Sequence, residues 1–118
     1  RRVLFRSGRF APARMLIDRG CAVALATDVN PGAGLSPSMP FAIALACFAM
    51  QMTLEEALVA ATLNAAWSID RADTVGSLEP GKLMDAVLIR GDTSDLIRVG
   101  TSPVRMVIKR GKAVFWAQ

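Results

Sequence analysis

The 118-residue chain contains no histidine and no tyrosine. Losing histidine removes the side chain that most often serves as a general base near neutral pH, and the commonest protein ligand for metals. A serine–histidine pair or a histidine-rich metal centre therefore cannot be completed from this sequence alone. Cysteine is scarce too. Cys21 and Cys47 both lie in apolar runs and do not form a Cys-x-x-Cys pair. They are expected to be free, buried thiols of a reducing compartment, with no metal or redox role. The longest apolar run, "MPFAIALACFAM" at residues 39–50, falls short of the ~20 residues that span a bilayer. It is expected to form a helix buried on all sides. Neither a signal-peptide pattern nor an internal repeat is recognisable.

Hydrophobic residues make up 53% of the chain, enough for the core of one small domain. The net charge of +4 points towards nucleic acid, but that excess rests on the opening heptapeptide "RRVLFRS". This heptapeptide matches one reading frame of a widely used sequencing adapter, so residues 1–7 are expected to be a translated artefact. Arg1, Arg2 and Arg6 account for three of the four excess positive charges. Without them no basic surface argues for nucleic acid. The same reading makes the chain the C-terminal piece of a longer protein.

From Pro12, "PARMLIDRG" reads as a short helix stopped by Gly20. "CAVALAT", residues 21–27, does not alternate polar and apolar residues, so it is expected to be a parallel strand buried on both faces. Asp28 closes it, and the stretch to Pro37 is a loop rich in Gly, Pro and Asn. Ser38 can cap the next helix, with Pro40 in its first turn, to about Gln51. "TLEE" then offers a capping box between Thr53 and Glu56. Leu54, Ala57, Leu58, Ala61 and Ala65 continue as a core-facing stripe to about Trp67, itself expected at a core or domain junction. Beyond Asp70 the pattern becomes strand-like. Pro80–Gly81 reads as a turn, and strands are expected at Ala86–Ile89, Val104–Lys109 and residues 113–116, the last two joined through Gly111. A single parallel strand leaves both of its edges unpaired. Two units are therefore expected, the end of a barrel at residues 8–72 and the end of a small separate sheet at 73–118.

Three motifs carry a family resemblance: "ATDVNPG" followed by "SMP" and "LAC", then "MTLEEALVAATLNAA", then "GSLEPGK" with a following Asp. Together they resemble the C-terminal portion of the amidohydrolase superfamily, and within it the imidazolonepropionase family. The last motif is general to the superfamily; "TD-x-NPG…SMP" is the narrower one. The resemblance implies an α/β fold, the C-terminal part of a metal-dependent (β/α)8 TIM-like barrel plus the last strands of an appended β-sandwich. It implies hydrolysis of the ring amide C–N bond of 4-imidazolone-5-propanoate to N-formimidoyl-L-glutamate, in histidine degradation, with Zn2+ or Fe2+ as cofactor. The fragment alone would be inactive. Asp28 matches the aspartate that ends the eighth barrel strand, a metal ligand and a catalytic proton acceptor. The other ligands of the family are histidines, which this chain lacks.

Asn30 and Gly32 match positions that contact substrate through a side-chain amide and a backbone N–H. Ala33 stands where Ser or Thr is usual and so lacks a hydroxyl for the substrate, while Val29 replaces a usual Phe. A small-molecule substrate, a cytoplasmic location, a full-length form able to dimerise, and no nucleic-acid or membrane partner complete what the resemblance implies. Position alone leaves other readings open. Asp28 can merely cap a loop or helix, and "NPG" forms turns wherever it occurs. The chain can also belong to another amidohydrolase, a deaminase or cyclic-amide hydrolase, or to a non-catalytic α/β binding module. Glu55 and Glu56 point about 100° apart on a helix, which makes them helix-start charges and not a paired acid site. Lys109, Arg110 and Lys112 read as solvated, and Arg90 and Asp92 as surface charge.

Overall fold

The computed structural model describes residues 10–31, 34, 36–98 and 100–117. Residues 1–7, Gly32 and Ala33 lie outside the described residues, and so do the expectations placed on them. Helix α1 (Ala13–Asp18) starts after Pro12, and Gly20 ends the turn behind it at φ +79°, a conformation that suits glycine. Helix α2 (Met39–Ala49) is capped by Ser38, whose Oγ accepts from the Phe41 N–H at 3.3 Å, with Pro40 in the first turn. Helix α3 (Leu54–Ala61) opens on the capping box: the Glu56 N–H donates to Thr53 Oγ1 at 3.2 Å, and the Thr53 N–H to Glu56 Oε2 at 2.8 Å.

The expected long helix to Trp67 breaks at Thr62 (φ −121°, ψ −85°), and α4 (Leu63–Ser68) follows. The Thr62 hydroxyl donates back to the Leu58 carbonyl at 2.7 Å, a local bond that competes with the helix ladder. Ala13, Ile43, Ala46, Met52, Ala57 and Ala60 form the buried cluster where these helices meet. Arg14 ties α1 to α3 through a two-pronged pair with Glu56, at 2.8 and 2.9 Å, and also reaches Asp18 at 2.9 Å.

Three expectations about burial are corrected. Helix α2 buries one face only: Ile43, Ala44 and Ala46 are covered, whereas Phe48 is 77% exposed. Trp67 is 72% exposed and lies in no core among the described residues. Cys21 is exposed and Cys47 half-buried, though both are free thiols. Burial, then the nearby Glu55 charge, pushes the Cys47 thiol above its usual range. Each miss has the same cause. Apolar character predicts burial, but burial needs a second surface, and the described residues do not supply one there.

The last third is an antiparallel sheet in the order β1 (Ala86–Ile89), β2 (Val104–Lys109), β3 (Lys112–Trp116), as its β-branched and aromatic runs led us to expect. Arg110 and Gly111 both take positive φ, 50° and 76°, the two-residue turn whose twist suits a hairpin. Asp85 fastens this turn to the start of β1. It accepts the Arg110 N–H at 2.7 Å and pairs with the Lys109 ammonium, so Lys109, exposed to solvent as expected, is also held in an ion pair. Between β1 and β2 lies a 3-10 turn (Thr93–Ile97) capped by Asp92, which is thus more than surface charge. Ile97 packs from this turn onto the helical cluster. No helix among the described residues is long and apolar enough to cross a membrane.

Candidate functional site around Asp28

Residues 21–27 run extended from the end of α1, but they form no strand, which corrects the expectation of a last barrel strand. A strand exists only by pairing, and no second parallel segment is available to it among the described residues. The helices take over part of that duty. The Leu25 N–H donates to the Ala60 carbonyl at 2.9 Å, and Asn64 Nδ2 donates to the Val23 carbonyl at 2.9 Å. Val23, Leu25 and Thr27 are half-buried, while Cys21, Ala22, Ala24 and Ala26 are exposed. Burial on both faces, as expected for 21–27, is therefore corrected to burial on one face.

Asp28 follows with φ 49°, in the left-handed region that Asp and Asn tolerate better than most residues. The chain then turns so tightly that Val29 bridges to Gly34, and the Asn30 N–H reaches the Gly34 carbonyl at 3.4 Å. Gly34 is required here. A Cβ on it would overlap the Asp28 carbonyl and lie 2.7 Å from Val29 Cα. Asn30 Nδ2 donates to the Asp28 main-chain oxygen at 2.6 Å and to Asp28 Oδ1 at 3.2 Å. Asp28 and Asn30 are both exposed, so the carboxylate points into no apolar core.

The structure thus brings Asp28 and Asn30 together at the exit of the extended segment. A depression of about 660 Å³ between α1 and the end of α2 is lined by Arg14, Asp18, Met50 and Gln51 among others, and does not include Asp28. Arg14 in it is already committed to Glu56 and Asp18. Sequence reasoning did not single out Gly34 or Asn64. Asn64 carried a signal nonetheless. It is a polar residue set between Ala61 and Ala65 in an otherwise apolar stripe.

A helical unit that presents a carboxylate at the exit of an extended segment, followed by a small antiparallel sheet, agrees with an amidohydrolase-type architecture. Residues 3–114 match the Amidohydrolase family, and the chain belongs to it. Among curated relatives it is 46% identical over 108 residues to an imidazolonepropionase of Porphyromonas gingivalis, covering 90% of this chain and 26% of the relative. Identity to the imidazolonepropionase of Bacteroides fragilis is 49% over 104 residues, covering 86% and 25%. That of Desulfotalea psychrophila is 47% identical over 107 residues, covering 89% and 26%. The crystal structure of an amidohydrolase from Thermotoga maritima is similar in fold, with a TM-score of 0.71 at 30% identity, over 90% of this chain and 26% of that one. The chain spans about a quarter of the length of the relatives it matches. These likenesses support a fragment of a TIM-barrel-type protein carrying three antiparallel strands.

Proposed function

We propose that this chain is the part of an imidazolonepropionase that carries its catalytic aspartate, Asp28, and part of its substrate loop. The observation that carries the reading is the exposed Asp28 carboxylate, set at the end of an extended segment and held by Asn30, in a chain 46–49% identical to imidazolonepropionases. The substrate is 4-imidazolone-5-propanoate. Water adds to the ring carbonyl carbon, the adjacent C–N bond opens, and N-formimidoyl-L-glutamate is released. The Asp28 carboxylate accepts the proton of the attacking water and returns it to the departing nitrogen, so the proton balance closes on one group. Asn30 contributes to holding the substrate through its side-chain amide and Gly32 through its backbone N–H, while Ala33 lines the same position without the hydroxyl that Ser or Thr would bring.

The metal tests this reading on the donor set. Zinc sites take three or four protein ligands. Among the described residues no three His, Cys, Asp or Glu side chains come together. These residues do not fit a Zn2+ or Fe2+ ion by themselves. Asp28 is one donor, and the parent protein would have to bring the rest. Residues 8–72 belong, in this reading, to the end of the barrel, and residues 73–118 to a small β-sandwich whose three strands here are one sheet. The open apolar faces of that sheet support this, because Val87 and Phe115 share one face and Leu88 and Trp116 the other, all at least half exposed.

The test uses the full-length parent enzyme. Asp28→Asn keeps the shape but cannot take a proton, and general-base transfer is commonly worth ~10²–10⁴ in rate. Turnover should fall by at least that factor with the fold intact. Asn30→Ala should mainly raise KM, with a smaller fall in kcat. Metal content measured on each variant separates lost proton transfer from lost metal. Near-normal turnover by Asp28→Asn with metal bound would make Asp28 a loop cap instead, the role its bonds to Asn30 would then fill.

A further inference from the structure

We propose that residues 74–85 form a rigid strap that fixes the small sheet to the helical unit, seated on α4 at Gly76 and locked by Lys82. The inference goes beyond the functional reading above and makes no use of Asp28. It starts at the end of α4, where the chain turns back. The Arg71 N–H donates to the Ala66 carbonyl at 2.9 Å, and the Arg71 carbonyl accepts from the Thr74 and Val75 N–H groups at 3.0 and 2.9 Å. This turn lays Gly76 directly on α4. A Cβ on Gly76 would lie 2.6 Å from Ala66 Cβ and 3.1 Å from the Thr62 carbonyl oxygen, and its φ is +97°. Only glycine permits that approach. Ala66, the residue beneath it, is buried.

Beyond Gly76 the chain closes on itself. The Lys82 N–H donates to the Glu79 carbonyl at 3.1 Å across Pro80–Gly81, the turn expected there, and the Leu83 N–H donates to the Thr74 carbonyl at 2.9 Å. Lys82 braces this ring. Its ammonium donates to Ser77 Oγ at 2.6 Å and to Glu79 Oε1 at 3.3 Å, while the Ser77 hydroxyl donates to the same Glu79 oxygen at 2.5 Å. The Lys82 side chain is only 13% exposed, a degree of cover that lysine accepts when its charge is paired. The far end is fastened to the sheet. The Gly111 N–H donates to the Met84 carbonyl at 2.9 Å, and Asp85 holds the Arg110 N–H and the Lys109 ammonium of the same hairpin turn. A flexible connection would let sheet and helices reorient; a closed ring pinned at both ends does not. Every partner lies between Thr62 and Gly111, and the bonds are those of turns and side chains, not substitutes for a strand ladder. The same strap is therefore expected in the longer parent.

The test is hydrogen exchange read by mass spectrometry on the full-length parent protein and on its Lys82→Met and Gly76→Ala variants. In the parent, the peptide covering residues 74–85 should exchange far more slowly than a free coil. Lys82→Met keeps the apolar stem, and the Glu79 it leaves behind is exposed, so no buried charge is stranded. Removing these charge-assisted bonds should speed exchange at 74–85 by about tenfold and leave α3 unchanged. Gly76→Ala lifts the strap off α4, so it should also speed exchange at the 109–111 turn and expose the bond after Arg71 to trypsin. If Gly76→Ala does not fold, Lys82→Met decides alone. Exchange at 74–85 as fast as a free coil in the parent would overturn the strap, as would a Lys82→Met variant with parental exchange there. Equally faster exchange in every helix would mark a general loss of stability, and would overturn the local lock.

Discussion

Asp28 and Gly34 are sterically coupled, because the Asp28 backbone leaves no room for a side chain on Gly34. Asp28 takes a left-handed φ, an arrangement that costs an L-residue energy and persists where its surroundings over-determine it. Here the surroundings are the two bonds from Asn30 and the close approach of Gly34 to the Asp28 carbonyl. Gly34→Ala leaves every charged and polar side chain in place yet has no room for its Cβ. It should therefore displace Asp28 and lower kcat of the parent enzyme by at least tenfold, in line with the sensitivity of reactive groups to small displacements. Steady-state kinetics with a circular-dichroism check of folding reads this directly, and an active Gly34→Ala enzyme would show that the turn tolerates a shift of its aspartate.

At the scale of elements, the short helices are held less by their own propensity than by side chains that span them. Helix α1 has six residues and α4 six, lengths at which an isolated helix is not stable in water. Glu56 serves two of these junctions at once, closing the cap of α3 and binding Arg14 of α1. The Arg14 guanidinium, then the Thr53 N–H, holds the Glu56 carboxyl below its usual range, and Glu56 in turn raises Arg14. Asp85 is lowered likewise, by Lys109 first and the Arg110 N–H second. A carboxyl whose folded pKa is depressed contributes stability that is present above its unfolded value, and loses it as pH falls through the folded value. Acid should therefore loosen the α1–α3 junction and the β2–β3 turn as pH drops below the ordinary carboxylate range of about 4. Urea midpoints measured from pH 7 down to 3 should fall for the native chain. In Glu56→Gln they should start lower at pH 7 and fall less steeply, and an equal slope in both would show that Glu56 does not carry this dependence.

Across the whole molecule, the balance between core and surface is unusual. Among the described residues the buried ones are mostly alanines, joined by Ile43 and Met52, and no large side chain is fully covered. Phe48, Trp67, Ile69, Leu78, Val114 and Trp116 are all more than 60% exposed. The radius of gyration is 15.3 Å, against about 13.5 Å for a compact chain of this length. Apolar surface on this scale marks places that another surface covers. The isolated 118-residue chain should bind an apolar reporter dye strongly at neutral pH, with fluorescence well above that of a compact globular protein of equal mass. Dye fluorescence no higher than that control would mean that these faces close on one another in solution.

Much of this protein was legible in the residues because the physics involved is local. The stop at Gly20, the Ser38 and Thr53 caps, the Arg110–Gly111 turn and the three strands depend on side chains within a few positions of each other, and all lie where those residues place them. Asp28 stood out in the sequence as the acid that ends an apolar run, and its reading as a site residue came from the resemblance of "ATDVNPG", since its position alone suits a loop cap equally well. What the sequence could not decide depends on distant surfaces. Residues 21–27 have the composition of a buried strand, but pairing needs a neighbour, and their backbone went to Ala60 and Asn64 instead. The hydrophobicity of Phe48 and Trp67 says that they favour cover without saying what covers them, and only the tertiary arrangement shows them open. The break at Thr62 belongs to the same class. A threonine tolerates a helix interior, and only the structure shows the helix broken there, with the Thr62 hydroxyl bonded back to the Leu58 carbonyl and the Ala60 carbonyl taken by the Leu25 N–H.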